Sequence, residues 1–74
     1  MSNEEIKNEL IKMGWENNNI HNANVSLSSN GYYFVYWHDE GTLSIIHNLD
    51  TIMVLDITLD RIKSLIYGLT GEKI

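Results

Sequence analysis

The chain has 74 residues, five Lys and Arg against ten Asp and Glu, a net charge of −5, and neither cysteine nor proline. A core of that size typically supplies only about 3–5 kcal/mol, and without cysteine it is stapled by neither disulfides nor thiolate-bound zinc. From Met13 to Asp60 there is no Lys or Arg, while Glu16, Asp39, Glu40, Asp50, Asp56 and Asp60 all fall in that stretch, which argues against direct nucleic-acid binding by whatever it builds.

At the N-terminus, Ser2-Asn3-Glu4-Glu5 has the pattern of a capping box, with Ser2 as N-cap and Glu5 three positions into the helix. Ile6, Leu10 and Met13 then recur at helical spacing, with Ile11 widening the stripe and Gly14 as a stop. This predicts a helix from Asn3 to Met13. Trp15 is expected to fold back over the rest of the chain. Met1 to Lys12 is charged, and no segment reaches the roughly 18 apolar residues of a membrane span. A soluble, cytoplasmic protein is expected, with no membrane contact.

Glu16 to Asn24 reads as a loop, since Asn17, Asn18, Asn19, Asn22 and Asn24 favour turns through local side-chain bonds. Ile20 is expected to anchor it. Four strands follow: Val25-Ser26-Leu27, Tyr32 to Trp37, Leu43 to Ile46, and Thr51 to Leu55. Asn30-Gly31, Asp39-Glu40-Gly41 and His47 to Asp50 separate them as turns. The fourth strand lacks polar alternation, the mark of a strand buried on both faces or paired at an interface. Thr58 is a good N-cap, and Leu59, Ile62, Leu65, Ile66 and Leu69 form a second helical stripe ending at Gly68 or Gly71. The order α-β-β-β-β-α predicts a single α+β domain. Its core would be a small four-stranded antiparallel meander sheet flanked by N- and C-terminal helices.

The run Gly31-Tyr32-Tyr33-Phe34-Val35-Tyr36-Trp37 is apolar on both faces of its strand. Which face enters the core depends on register, and a one-residue slip exchanges them. With three-residue loops at both tight turns, Val25, Leu27, Tyr33, Val35, Trp37, Leu43 and Ile45 share the core face. Tyr32, Phe34, Tyr36, Ser26, Ser44 and Ile46 then face out. Because both turns lead to the same arrangement, this register is preferred. A two-residue Asn30-Gly31 turn with a four-residue second loop reverses the central strand. Phe34 and Tyr36 then lie inside, and Tyr33, Val35 and Trp37 outside. In either case a band of large side chains is left on the non-core face, because two short helices suffice to cover one face.

His38-Asp39-Glu40 has the residue types of a metal or acid–base site, but the three share one turn whose side chains diverge. His47 sits some five strand residues away, roughly 17 Å. Asp56 is better placed to accept backbone bonds near the second helix than to act as a base. No phosphate-binding glycine loop or nucleophile elbow is present, and ligand pockets of about 300–1,000 Å3 are large for so short a chain. No enzymatic activity, metal or cofactor is expected.

In composition the chain is similar to the small acidic proteins of bacteriophages and mobile elements, a likeness that specifies no residue. The expected function is that of a protein-interaction module or inhibitor. Tyr32, Phe34, Tyr36, His38, Asp39 and Glu40 would meet a protein partner with a basic surface, such as a nuclease or defence complex, with the acids steering and the aromatics holding. The other readings are a homodimer built on the aromatic band or the apolar fourth strand, and a small-ligand binder at a dimer cleft.

Overall fold

The computed structural model describes residues 1–18 and 24–73. Among these the chain forms helix α1 (Asn3–Lys12), strands β1 (Glu16–Asn17), β2 (Val25–Ser29), β3 (Tyr32–Trp37), β4 (Thr42–His47) and β5 (Asp50–Val54), and helix α2 (Leu59–Thr70). The α+β class and the antiparallel meander are as expected. The sheet has five strands in the order β1-β2-β3-β4-β5, not four. The extra strand is the short Glu16–Asn17 segment, where Glu16 pairs with Ser26 and Asn17 with Val25. Asn18 donates its backbone N–H to the Asn24 carbonyl at 3.1 Å. The expected anchor Ile20 and the asparagines at 19 and 22 lie outside the described residues.

Local signals set both helices. Glu5 N–H donates to Ser2 Oγ at 3.1 Å, and Ser2 N–H donates back to Glu5 Oε1 at 2.9 Å. The Ser2 N–H bond to the carboxylate, helped by the Ser2 hydroxyl, holds Glu5 below the usual carboxylate pKa. Thr58 caps α2 by accepting from Arg61 N–H, and Gly71 closes it in the left-handed conformation at φ 77°. Gly68 lies inside the helix.

The preferred register is corrected. Leu27 pairs with Phe34 and Val25 with Tyr36, and on the other side Phe34 pairs with Ile45 and Tyr36 with Leu43. The β2–β3 turn holds only Asn30 and Gly31, and the β3–β4 loop spans residues 38–41. The physical reason is at Asn30. Asparagine tolerates the left-handed region, and here Asn30 (φ 48°) and Gly31 (φ 82°) both occupy it. Two such residues make the tight hairpin turn whose twist matches the strands.

Consequently Phe34 and Tyr36 are fully buried with Val25, Leu43 and Ile45. Ile6 and Leu10 of α1 and Ile62 and Ile66 of α2 pack on the same cluster, so both helices cover one face. Trp15 folds back as expected, with its ring centroid 6.4 Å from that of Phe34. Gly41, at φ 66°, ties the layers together. Its carbonyl accepts from Ile57 N–H at 3.0 Å, and a side chain there would meet Asn3.

Candidate functional site

The face opposite the helices is built by alternation along the strands. Val35 pairs with Ser26 and Ser44, Tyr33 with Ser28 and Ile46, and Trp37 with Thr42. Met53 and Thr51 extend the rows across β5, opposite Ser44 and Ile46. Among the described residues no helix lies over this face, which carries Tyr33, Val35 and Trp37. Of the expected binding residues, Phe34 and Tyr36 are fully buried, and Tyr32 lies half-buried on the helix side. Tyr32 stacks on His47, with centroids 4.0 Å apart, and on Phe34.

Side chains roof the middle of the open face. The Trp37 indole N–H reaches diagonally to Ser44 Oγ at 2.9 Å, and the Asn18 amide donates to Ser26 Oγ at 2.9 Å. Beneath them Val35, Ser26 and Ser44 are buried. Around this centre Tyr33 is 39% exposed and Met53 53% exposed, and Trp37 and Ile46 are half-buried. The surface thus offers two aromatic rings, two aliphatic side chains and exposed hydroxyls at Ser28 and Thr51.

The basic residues are confined to the helical layer and its tail, while acids occur on both layers. Lys7 and Lys12 are on α1, Arg61 and Lys63 on α2, and Lys73 just beyond it. The strands and their turns carry Glu16, Asp39, Glu40, Asp50 and Asp56, all exposed. Asp39 and Glu40 end the hairpin that bears Trp37. Asp56, at φ 50°, turns the chain from β5 toward α2.

His38 does not stand with the open face. Its Nε2 lies 3.4 Å from Glu4 Oε2 on α1 and 3.2 Å from Asp39 Oδ1. The turn side chains therefore converge in part, contrary to expectation, and link the hairpin to the first helix. His47 is at the other end of β4, where its Nδ1 lies 3.2 Å from the Gly31 carbonyl. His21 lies outside the described residues. Among those described, no three His, Asp or Glu side chains are placed to hold a metal ion, and no helix is long and apolar enough to cross a membrane.

An apolar hollow of about 190 Å3 lies on the helix side between β5 and the end of α2. Tyr32, Ile45, His47, Asp50, Ile52 and Leu69 line it. Sequence reasoning missed this feature. The apolar fourth strand was the available signal, but nothing in it told that the helices stop short of its outer edge. Comparison of the chain with protein-family models, with curated proteins and with solved structures finds no match.

Proposed function

We propose that this chain is a non-enzymatic interaction module that docks a basic protein on the open face of its sheet. One observation carries the reading. Both helices pack on the same side, so among the described residues a surface of Tyr33, Trp37, Ile46 and Met53 has no layer over it, on strands that hold acids and no Lys or Arg. Tyr and Trp are the side chains that supply binding energy at protein interfaces. The acids Glu16, Asp39 and Glu40 would raise the rate of encounter with a positive surface. Tyr33 and Trp37 take the place of Phe34 and Tyr36 as the anchors.

On this reading the partner is a nucleic-acid-handling protein with a positive groove, such as a nuclease or a defence complex. The chain acts as a phage- or mobile-element-encoded inhibitor in the host cytoplasm. Affinity capture from a bacterial lysate tests this, with wild type, Tyr33→Ala and Ile46→Glu run in parallel. The expected result is a basic protein retained by wild type and lost from both variants, with the thermal midpoint nearly unchanged. Rising salt should release it, because screening weakens attraction between opposite charges. Capture of no basic protein, or equal capture by all three, refutes the reading.

A further inference from the structure

We infer that β5 is the seam of a symmetric homodimer, in which two copies join edge to edge into one continuous antiparallel sheet. This goes beyond the docking face and uses the main-chain edge beside it, the two sharing only Met53. The sheet has two edges, β1 and β5. The β1 edge is only two residues long and exposes Glu16, which are protections that sheets use against unwanted pairing. The β5 edge is five residues, Asp50-Thr51-Ile52-Met53-Val54, with no Lys, proline or bulge. It is apolar on both sides. Ile52, on the helix side, is 61% exposed and Met53, on the open side, is 53% exposed. Leu55 just beyond is 70% exposed.

The hydrogen-bond phase of β5 follows from its hairpin. Asn48 and Leu49 form a two-residue turn between the paired His47 and Asp50, so Asp50 N–H points inward to the His47 carbonyl. Alternation then turns Ile52 and Val54 inward, and the N–H and C=O groups of Thr51 and Met53 outward. Those outward groups match a second copy of the same strand. In an antiparallel pairing about Ile52, Thr51 exchanges both its bonds with Met53 of the partner subunit. Met53 does the same with Thr51 of the partner subunit. Ile52 then meets Ile52 of the partner subunit beside the hollow lined by Leu69 and Tyr32. Asp50 falls opposite Val54 of the partner subunit, so no two carboxylates meet. Moving the axis one residue toward the C-terminus would set Asp50 against Asp56 of the partner subunit. The two-fold runs perpendicular to the sheet, so both α2 helices lie on one side and the docking face stays free.

A second copy suits this edge better than a basic stranger, since Asp50 is the strand's lone charge and the contact is apolar and main-chain in kind. Each copy carries a net charge of −5, so dimerisation should strengthen with salt, whereas binding of a basic partner weakens. Sedimentation equilibrium from about 1 to 500 μM, a range that spans ordinary association constants, reads the mass against the 8.5 kDa monomer. Wild type should approach twice that mass. Met53→Pro deletes an outward N–H that β4 does not use, which edge strands tolerate. It should raise the dissociation constant by more than about tenfold, the step that 1.4 kcal/mol of lost binding produces. Ile52→Lys should do the same through charge at the seam, with circular dichroism unchanged for both. A wild-type mass that stays at 8.5 kDa throughout overturns the inference. So does a dimer that survives both changes, or one abolished by Ile46→Glu on the open face but not by them.

Discussion

Neighbouring rings on the two faces of the central strand have opposite fates. Phe34 and Tyr36 are fully buried beneath two helices, while Tyr33, between Tyr32 and Phe34 in the chain, keeps 39% of its surface. Hydrophobicity does not separate them, since each set is large and aromatic. What separates them is supply. Ile6, Leu10, Ile62 and Ile66 all go to one side, and no further helix remains among the described residues for the other. The covered face consequently holds the stability and the open face holds the available surface. The basic residues divide the same way, with every Lys and Arg on the helical layer and its tail.

The sharpest way to break that contrast is to remove one ring from each face. Phe34→Ala leaves a cavity among Trp15, Val25 and Ile45, at a cost of about 3–5 kcal/mol. That equals the roughly 3–5 kcal/mol that a core of this size supplies, so the variant should be largely unfolded at room temperature by circular dichroism. Tyr33→Ala, one position away, removes cross-strand contacts worth about 0.2–1 kcal/mol and should melt within a few degrees of wild type. Similar losses from the two would mean that the open face is a second core.

What could be read from the sequence was local. The capping box at Ser2 and Glu5, the Thr58 cap and the two helical stripes each depend on residues within one or two turns of each other. The inward sets on β2 and β4, Val25 with Leu27 and Leu43 with Ile45, also followed from alternation alone. The central strand did not, because its orientation hangs on the length of two loops. Two three-residue loops, or a two- and a four-residue loop, are each self-consistent, so the agreement between turns carried no independent weight. Asn30 decided it by taking the left-handed conformation beside Gly31. Two rings of the band expected to face outward, Phe34 and Tyr36, thus lie in the core instead. Strand β1 was illegible because two residues carry no period. The edge position of β5 was illegible because an apolar run does not say whether its neighbour is a strand or water.

A smaller effect tests how the covering layer is fastened. Gly41 occupies the left-handed region at φ 66°, and its carbonyl holds the Ile57 N–H ahead of α2. Gly41→Ala should cost about 1–2 kcal/mol, the penalty of a side chain in that conformation. Contact with the Asn3 side chain adds little, because its amide end can swing away. Gly41→Asn should recover part of the loss, since asparagine tolerates that region. Thermal unfolding of the pair reads the difference. Equal melting of Ala and Asn variants would place the cost in crowding against α1.

The smallest effect concerns a fully buried ring of the covered layer that has a polar end. The Tyr36 hydroxyl is buried with no hydrogen-bond partner among the described residues, and burial raises its pKa above the usual value of 10.0. A buried hydroxyl without a partner carries a desolvation cost. Tyr36→Phe should therefore leave stability equal to wild type or up to about 1 kcal/mol higher, where a bonded tyrosine would lose about that much. The pH dependence supplies a second reading. Above pH 10 the unfolded chain releases the phenolic proton while the folded chain retains it. The unfolded state then binds fewer protons, and stability falls as pH rises. That alkaline decline should be smaller in Tyr36→Phe. Chemical denaturation at pH 7 and pH 11 measures both arms. A Phe variant less stable at pH 7, with the full alkaline decline intact, would mean that the hydroxyl is bonded and that the covered face is polar at its centre.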